Sequence, residues 1–248
     1  MKSENVVVSV IIPSFNQGNF LLESVQSVLD QSFKYYEIII IDDCSDDGYS
    51  VDVALSLESE KIRVIVNERN IGVCSTRNKA IEMAIGKYIL PLDADDKIEK
   101  TYLEKAVGLI ECEVADVIYC KARFFGTKSG EWFLPNFSRY TILFKNIVFN
   151  CALFKKEDWK IVGGYSGKFK NGYEDWDLWL SFIENKKTFY KIDEILFNYR
   201  KHENSRNSFA KIQHYKLVEE IFENHKELYS KYKIFSPPRR HEDRKSTR

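Results

Sequence analysis

Four short apolar runs constrain the fold: Val6–Ile12, Glu37–Ile41, Ile62–Val66 and Tyr88–Leu92. They are rich in β-branched residues and do not alternate with polar ones, as expected of strands buried on both faces. Such strands need helices above and below. Phe20, Leu21, Val25, Val28 and Leu29 recur at helical spacing between the first two runs, and Thr76–Ala84 reads as a helix between the last two. This alternation predicts an α/β fold on a mostly parallel sheet flanked by helices. Pro13 is expected to end the first strand, and Asp42 and Asp43 the second.

Three of these strands hand over to polar clusters: PSFN after the first, DDCSDDG after the second and DADD after the fourth. In open parallel sheets the ligand crevice lies beyond the carboxyl ends of the strands. The three clusters should therefore meet at one edge of the sheet. No GxGxxG follows the first strand and no GxxxxGK[ST] occurs anywhere, which argues against a dinucleotide fold and a P-loop.

The second half is less regular. Val117–Phe125 and Ile192–Tyr199 read as strands, Gly126–Gly130 and GGY at 163–165 as turns, and Asp175–Glu184 as a helix. Lys211–Tyr232 reads as one imperfect amphipathic helix, and residues 236–248 as a disordered, arginine-dense tail. The division expected is 1–112, 113–235 and that tail, the first two forming one continuous domain.

Lys plus Arg and Asp plus Glu both number 37, so the chain lacks the basic excess of a general nucleic-acid binder. The five cysteines are scattered without a CxxC pair, which suits reduced thiols and gives no zinc spacing. The first residues lack the pattern of a secretion signal, and no apolar run reaches the ~18 residues of a membrane span. The expectation is a cytoplasmic chain. The lysines of the last helix would suit docking at the inner face of the membrane, although packing or a homodimer contact is the simpler use.

The stretch YILPLDADDKI runs a strand into Asp93, Asp95 and Asp96. Asp96, with Glu99 three residues on, matches a capping box for a helix containing Tyr102, Leu103, Ala106 and Val107. Capping leaves Asp93 and Asp95 unexplained. Their i, i+2 spacing at a strand mouth would aim both carboxylates into the crevice, where they suit Mn²⁺ or Mg²⁺ completed by substrate phosphates. Both readings can hold together. Phe15 offers an aromatic face or a core residue, and Asp43 could accept from a base N–H. Glu174, Asp175 and Asp177 sit where a helix N-terminus alone would favour acids.

The ordered stretches SVIIPSFNQGNFLLESVQSVLDQSF, EIIIIDDCSDDG, NIGVCSTRNKAIEMAIGKYILPLDADD and GGY followed by YEDWDLWL resemble the family 2 glycosyltransferases with the GT-A fold, over roughly residues 6–200. The resemblance implies a Rossmann-like nucleotide-sugar-binding half, a smaller acceptor-side region and an inverting transfer from a nucleotide diphosphate sugar to an acceptor hydroxyl. UDP is the implied nucleotide, and a glycan or lipid-linked glycan of cell-surface polysaccharide synthesis the implied acceptor. By the same resemblance Pro13, Phe15 and Asn16 line the nucleotide, Asp43 reads its base and Arg77 lies beside it. Asp93 faces the ribose and Asp95 binds the metal, with Asp96 and His202 as further candidates. Asp175 is the implied general base, with Glu174 and Trp176 on the acceptor and core packing the alternative for Trp179.

Three other readings compete. A nucleotide-sugar-binding protein without catalysis would not need both DADD and EDWD. A receiver-like domain would be about half this length. A sugar nucleotidyltransferase would carry a glycine-rich, arginine-containing loop after the first strand.

Overall fold

The computed structural model describes residues 6–170, 172–202 and 213–238. Its first half alternates as expected: β1 (Val8–Ser14), α1 (Gly18–Leu29), β2 (Tyr36–Asp42), α2 (Ser50–Ser56), β3 (Ile62–Val66), α3 (Val73–Met83) and β4 (Tyr88–Pro91). β5 (Lys97–Ile98), α4 (Tyr102–Glu111), β6 (Val117–Gly126), β7 (Gly130–Trp132), β8 (Leu153–Lys155) and α5 (Lys156–Val162) follow. The chain then forms α6 (Glu174–Glu184), β9 (Phe189–Lys201), α7 (His214–Asn224) and α8 (Lys226–Lys231).

Among the described residues the strands form one sheet, ordered β3-β2-β1-β4-β8-β6-β9-β5, with β7 on the edge of β6. β3, β2, β1 and β4 pair in parallel. β8 then runs antiparallel to both β4 and β6, so the sheet continues without a break from the first half of the chain into the second. All seven residues of β2 are buried, which is why its run carries no polar alternation.

Three local expectations change. Pro13 lies inside β1 rather than ending it. Pairing with β4 stops at Ile11–Pro91, whereas pairing with β2 continues to Ser14–Asp42. The missing N–H of the proline thus coincides with the end of one ladder and leaves the other intact. Asp96 does not cap a helix. α4 begins at Tyr102 after Thr101, because Lys97–Ile98 is drawn into pairing with Asn198 and Phe197 of β9. The expected C-terminal helix is two helices that meet at His225, with residues 211 and 212 outside the described set. Residues 239–248 of the expected tail also lie outside it.

The residue at the break, His225, is held electrostatically. Its imidazole is 2% exposed and contacts Asp177 at 3.0 Å and Glu184 at 3.2 Å, both on α6. Burial opposes its charge, but the two carboxylates prevail and push it up to about 9. Asn224 also donates to Asp177 at 2.6 Å. The C-terminal helices are thereby pinned to the helix that begins at Glu174.

Gly86 shows how tightly the first half is packed. Its N–H donates to the Ser9 hydroxyl at 2.9 Å, and a Cβ added there would lie 2.6 Å from the Ser9 nitrogen and 2.8 Å from the Val8 carbonyl carbon. These are backbone atoms of β1 and cannot swing away. Gly86→Ala is expected to destabilise the fold by about 1–3 kcal/mol, the usual cost of overpacking. Urea unfolding at neutral pH checks this, and an unchanged midpoint refutes it.

Candidate active site

The clusters at the ends of β1, β2 and β4 meet in one cleft of about 730 Å³. Pro13, Phe15, Asn16 and Asp43 line it at one end, Asp93–Asp96 and His202 lie along it, and Glu174 and Asp175 reach it from α6. Phe15 is 41% exposed, so the core alternative for it fails and its ring is open to a ligand. Asn16 adopts a left-handed φ of 53° and exchanges two bonds with Asp46, tying the β1 loop to the loop after β2. Asp43 is only 4% exposed and accepts from the Asn67 amide, the Ile71 N–H and the Gly72 N–H at 2.8–2.9 Å. A carboxylate has about four acceptor positions, so one remains for a ligand donor.

Arg77 departs from expectation. It is fully buried and presents no surface to a nucleotide. Its guanidinium instead spans two acids, with Nη2 at 2.5 Å from Asp93 and Nη1 at 2.7 Å from Glu174. It also lies over the Tyr165 ring at 5.4 Å, which places the GGY turn beneath the cleft. Tyr165 is held from both sides, by Asn78 through its N–H and by Asn150 through its hydroxyl.

The three aspartates of DADD have separate partners. Asp93 meets Arg77, Asp95 meets His202 Nε2 at 2.9 Å, and Asp96 accepts the Arg200 N–H at 2.8 Å. Asp96 is 2% exposed. Burial and the charges of Asp95 and Asp93 hold its carboxyl well above the usual range, and burial and Asp93 raise Asp95 as well. Asp95 and His202 both line the cleft and bring a carboxylate and an imidazole nitrogen together. That donor pair fits a divalent ion that takes few protein ligands and leaves the rest to phosphate and water. Among the described residues no group of three or more His, Cys, Asp or Glu side chains forms a closed metal cage.

Asp175 is the second residue of α6. Its carboxylate accepts the Trp176 N–H at 2.8 Å and the Asn146 amide at 2.9 Å. Burial, then the charge of Glu174, pushes it up to about 7 despite those bonds and the nearby Arg77. A group that titrates near neutrality and faces a cleft is suited to proton transfer. Asn146 was not signalled by the sequence, since it sits in an irregular segment with no motif around it. Two acceptor-side expectations fail. Trp176 is 2% exposed and donates its indole N–H to the Ile142 carbonyl at 2.6 Å, so it anchors the loop behind Asp175 rather than stacking on a sugar. Glu174 is 5% exposed and ion-paired with Arg77, which leaves it supporting the site instead of receiving an acceptor. Trp179 follows the core alternative, donating to the Val148 carbonyl at 3.0 Å.

The chain matches the family described as Glycosyl transferase family 2 over residues 9–175. It is 35% identical over 208 residues to the putative teichuronic acid biosynthesis glycosyltransferase TuaG of Bacillus subtilis, with 82% of each chain covered. It is 29% identical over 184 residues to WfgD of Escherichia coli, a UDP-Glc:alpha-D-GlcNAc-diphosphoundecaprenol beta-1,3-glucosyltransferase, covering 73% of this chain and 72% of that one. Among solved structures it resembles S. aureus TarS 1–349 in complex with UDP-GlcNAc, with a TM-score of 0.75 at 21% identity. That likeness spans 88% of this chain and 66% of TarS 1–349, and at such identity it is one of fold.

Proposed function

The chain belongs to glycosyl transferase family 2, is a glycosyltransferase with the GT-A fold, and on that premise we propose that it transfers a sugar from a UDP-sugar to a hydroxyl of a glycan or lipid-linked glycan, with inversion at the anomeric carbon. One observation carries the reading. A single buried guanidinium touches both Asp93, of the donor-side cluster, and Glu174, the neighbour of Asp175. Donor site and base are therefore parts of one rigid constellation, as in-line displacement requires. The relatives support a role in polysaccharide synthesis and a UDP-linked donor.

In this reading Phe15 and Pro13 flank the base of the nucleotide, and Asp43 offers its remaining acceptor position to a base N–H. Asp93, fixed by Arg77, faces the ribose. Asp175, ionised above about pH 7, takes the proton of the acceptor hydroxyl as that oxygen attacks the anomeric carbon. The bond to the diphosphate breaks on the other side. A divalent cation held by Asp95 and His202 would neutralise the charge growing on the departing diphosphate. Asp96 acts behind them, holding the β9 end through Arg200.

A thermal-shift screen of nucleotide diphosphate sugars with Mn²⁺, Mg²⁺ or EDTA tests donor and metal together, because ligands of the native state raise its apparent stability. A UDP-sugar should raise the midpoint with metal and lose that effect in EDTA. Asp95→Ala should lose it even with metal, by about ten-fold or more in donor affinity, in line with the removal of a group that orients a metal site. Equal shifts with and without EDTA would sink the metal assignment, and a preference for another nucleotide would sink UDP. Release of UDP on adding acceptor distinguishes the enzyme from a non-catalytic binder.

A further inference from the structure

The segment from Trp132 to Lys156 contains no acidic residue, and neither does Leu228–Pro238. These two stretches come together. Tyr229 donates its hydroxyl to the Leu143 carbonyl at 2.7 Å, and the Tyr140 and Tyr232 rings lie 6.2 Å apart. The face they share is aromatic and open: Tyr140 is 56% exposed, Phe144 39% and Phe235 78%. Arg139, Lys145, Lys231 and Lys233, within two residues of these aromatics in sequence, are exposed as well. By contrast α7, the first part of the expected C-terminal helix, carries Lys216 against Glu219, Glu220 and Glu223.

We propose that this face, built from residues 139–145 and 231–235, docks the chain on an anionic lipid bilayer. Aromatic rings with a polar edge settle at the boundary between headgroup and acyl chain, and lysine and arginine beside them meet lipid phosphate. Charge complementarity selects this occupant, since an uncharged or cationic surface gains nothing from four basic side chains without acids. The face adjoins the base end of the cleft, because Asn146, one residue past Lys145, holds the Asp175 carboxylate. Docking would thus turn the acceptor side toward the bilayer, where a glycan carried on lipid is presented. That last step rests on the transferase reading, whereas docking itself does not.

The test uses the full chain with no donor or acceptor present. Sucrose-loaded vesicles of phosphatidylcholine, with and without phosphatidylglycerol, are sedimented with the protein at low and high salt. Binding should require phosphatidylglycerol and weaken as salt screens it. Each basic residue near an anionic surface is worth about five-fold in partitioning, so Lys231→Ala with Lys233→Ala should cost about twenty-five-fold. Phe144→Ser with Phe235→Ser should also release the protein. All four positions are on the surface, and unchanged circular dichroism will confirm folding. Equal sedimentation with both vesicle types, or full binding by both double variants, overturns the proposal. A dimer abolished by the same variants would assign the face to a second copy, and binding to soluble glycan without vesicle binding would assign it to the acceptor. Either result overturns docking while leaving the thermal-shift result for the donor untouched.

Discussion

Asp175→Asn is expected to lower sugar transfer by about 10²–10⁴-fold, the usual contribution of a positioned general base. The amide keeps the size of the carboxylate, and its oxygen can still accept from Trp176 N–H or the Asn146 amide. Donor affinity should therefore stay within about two-fold, because the proposed donor contacts at Pro13, Phe15, Asp43 and Asp93 do not include Asp175. Fluorescence titration of the UDP-sugar and a UDP-release assay separate the two effects. An equal loss of donor binding and turnover would remove the base from Asp175. The wild-type pH profile is a second reading of the same group. Only the ionised carboxylate accepts a proton, and burial with Glu174 sets its midpoint near pH 7. The rate should be level above that midpoint and fall about ten-fold per unit below it. A rate that stays flat down to pH 5 would mean another group is the base.

Arg77→Met should have the largest effect on stability. The side chain is fully buried and its guanidinium stands between Asp93 and Glu174. Removing one partner of a buried ion pair typically costs about 3–5 kcal/mol, because the remaining charge stays desolvated. Chemical denaturation at pH 8 measures this. Arg77→Met with Glu174→Gln removes a charge along with its partner and should recover part of the loss. A single-variant loss below about 1 kcal/mol would mean that Arg77 is not the keystone its contacts describe. Arg77→Lys keeps the charge but not the planar fork that reaches two acids, so it should be intermediate. In Arg77→Met alone the midpoint of the rate profile should move upward, since Arg77 lowers the pKa of Asp175, whereas the double variant also loses the charge of Glu174 that raises it.

The legible parts of the molecule were those whose cause is local. β2 could be placed from its apolar run because a strand buried in a sheet needs no alternation, whereas β3 proves to be an edge strand with Ile62 alone of its five residues buried. The polar strand ends could be gathered into one cleft because parallel strands share a carboxyl edge. Errors arose where distant residues decide. Asp96 and Glu99 satisfy a capping pattern locally, yet β9, some hundred residues later, pairs with Lys97 and Ile98 and moves the helix start to Tyr102. Trp176 stands next to Asp175 in sequence, but a helix turns its neighbour away, and the indole lies in the core against Ile142. Arg77 was expected beside the nucleotide, because its two carboxylate partners come from other parts of the chain. Asn146 belongs to a segment without periodicity, so no pattern could have aimed it at Asp175. The likeness to family 2 covers the motifs and is silent on such partners.

His225 bears on the order in which the molecule is completed. A ribosome delivers α6, with its acids at 174, 175 and 177, some forty residues or more before the imidazole that neutralises Asp177. Until α7 and α8 emerge, the helix holding the proposed base carries buried negative charge with Arg77 as its nearest compensation. Newly made chains should therefore acquire the donor half of the cleft first and its catalytic end last. The proposed catalytic end is thus completed by α7 and α8, and a nascent chain that has not yet delivered them is expected to bind the proposed donor before it can transfer sugar.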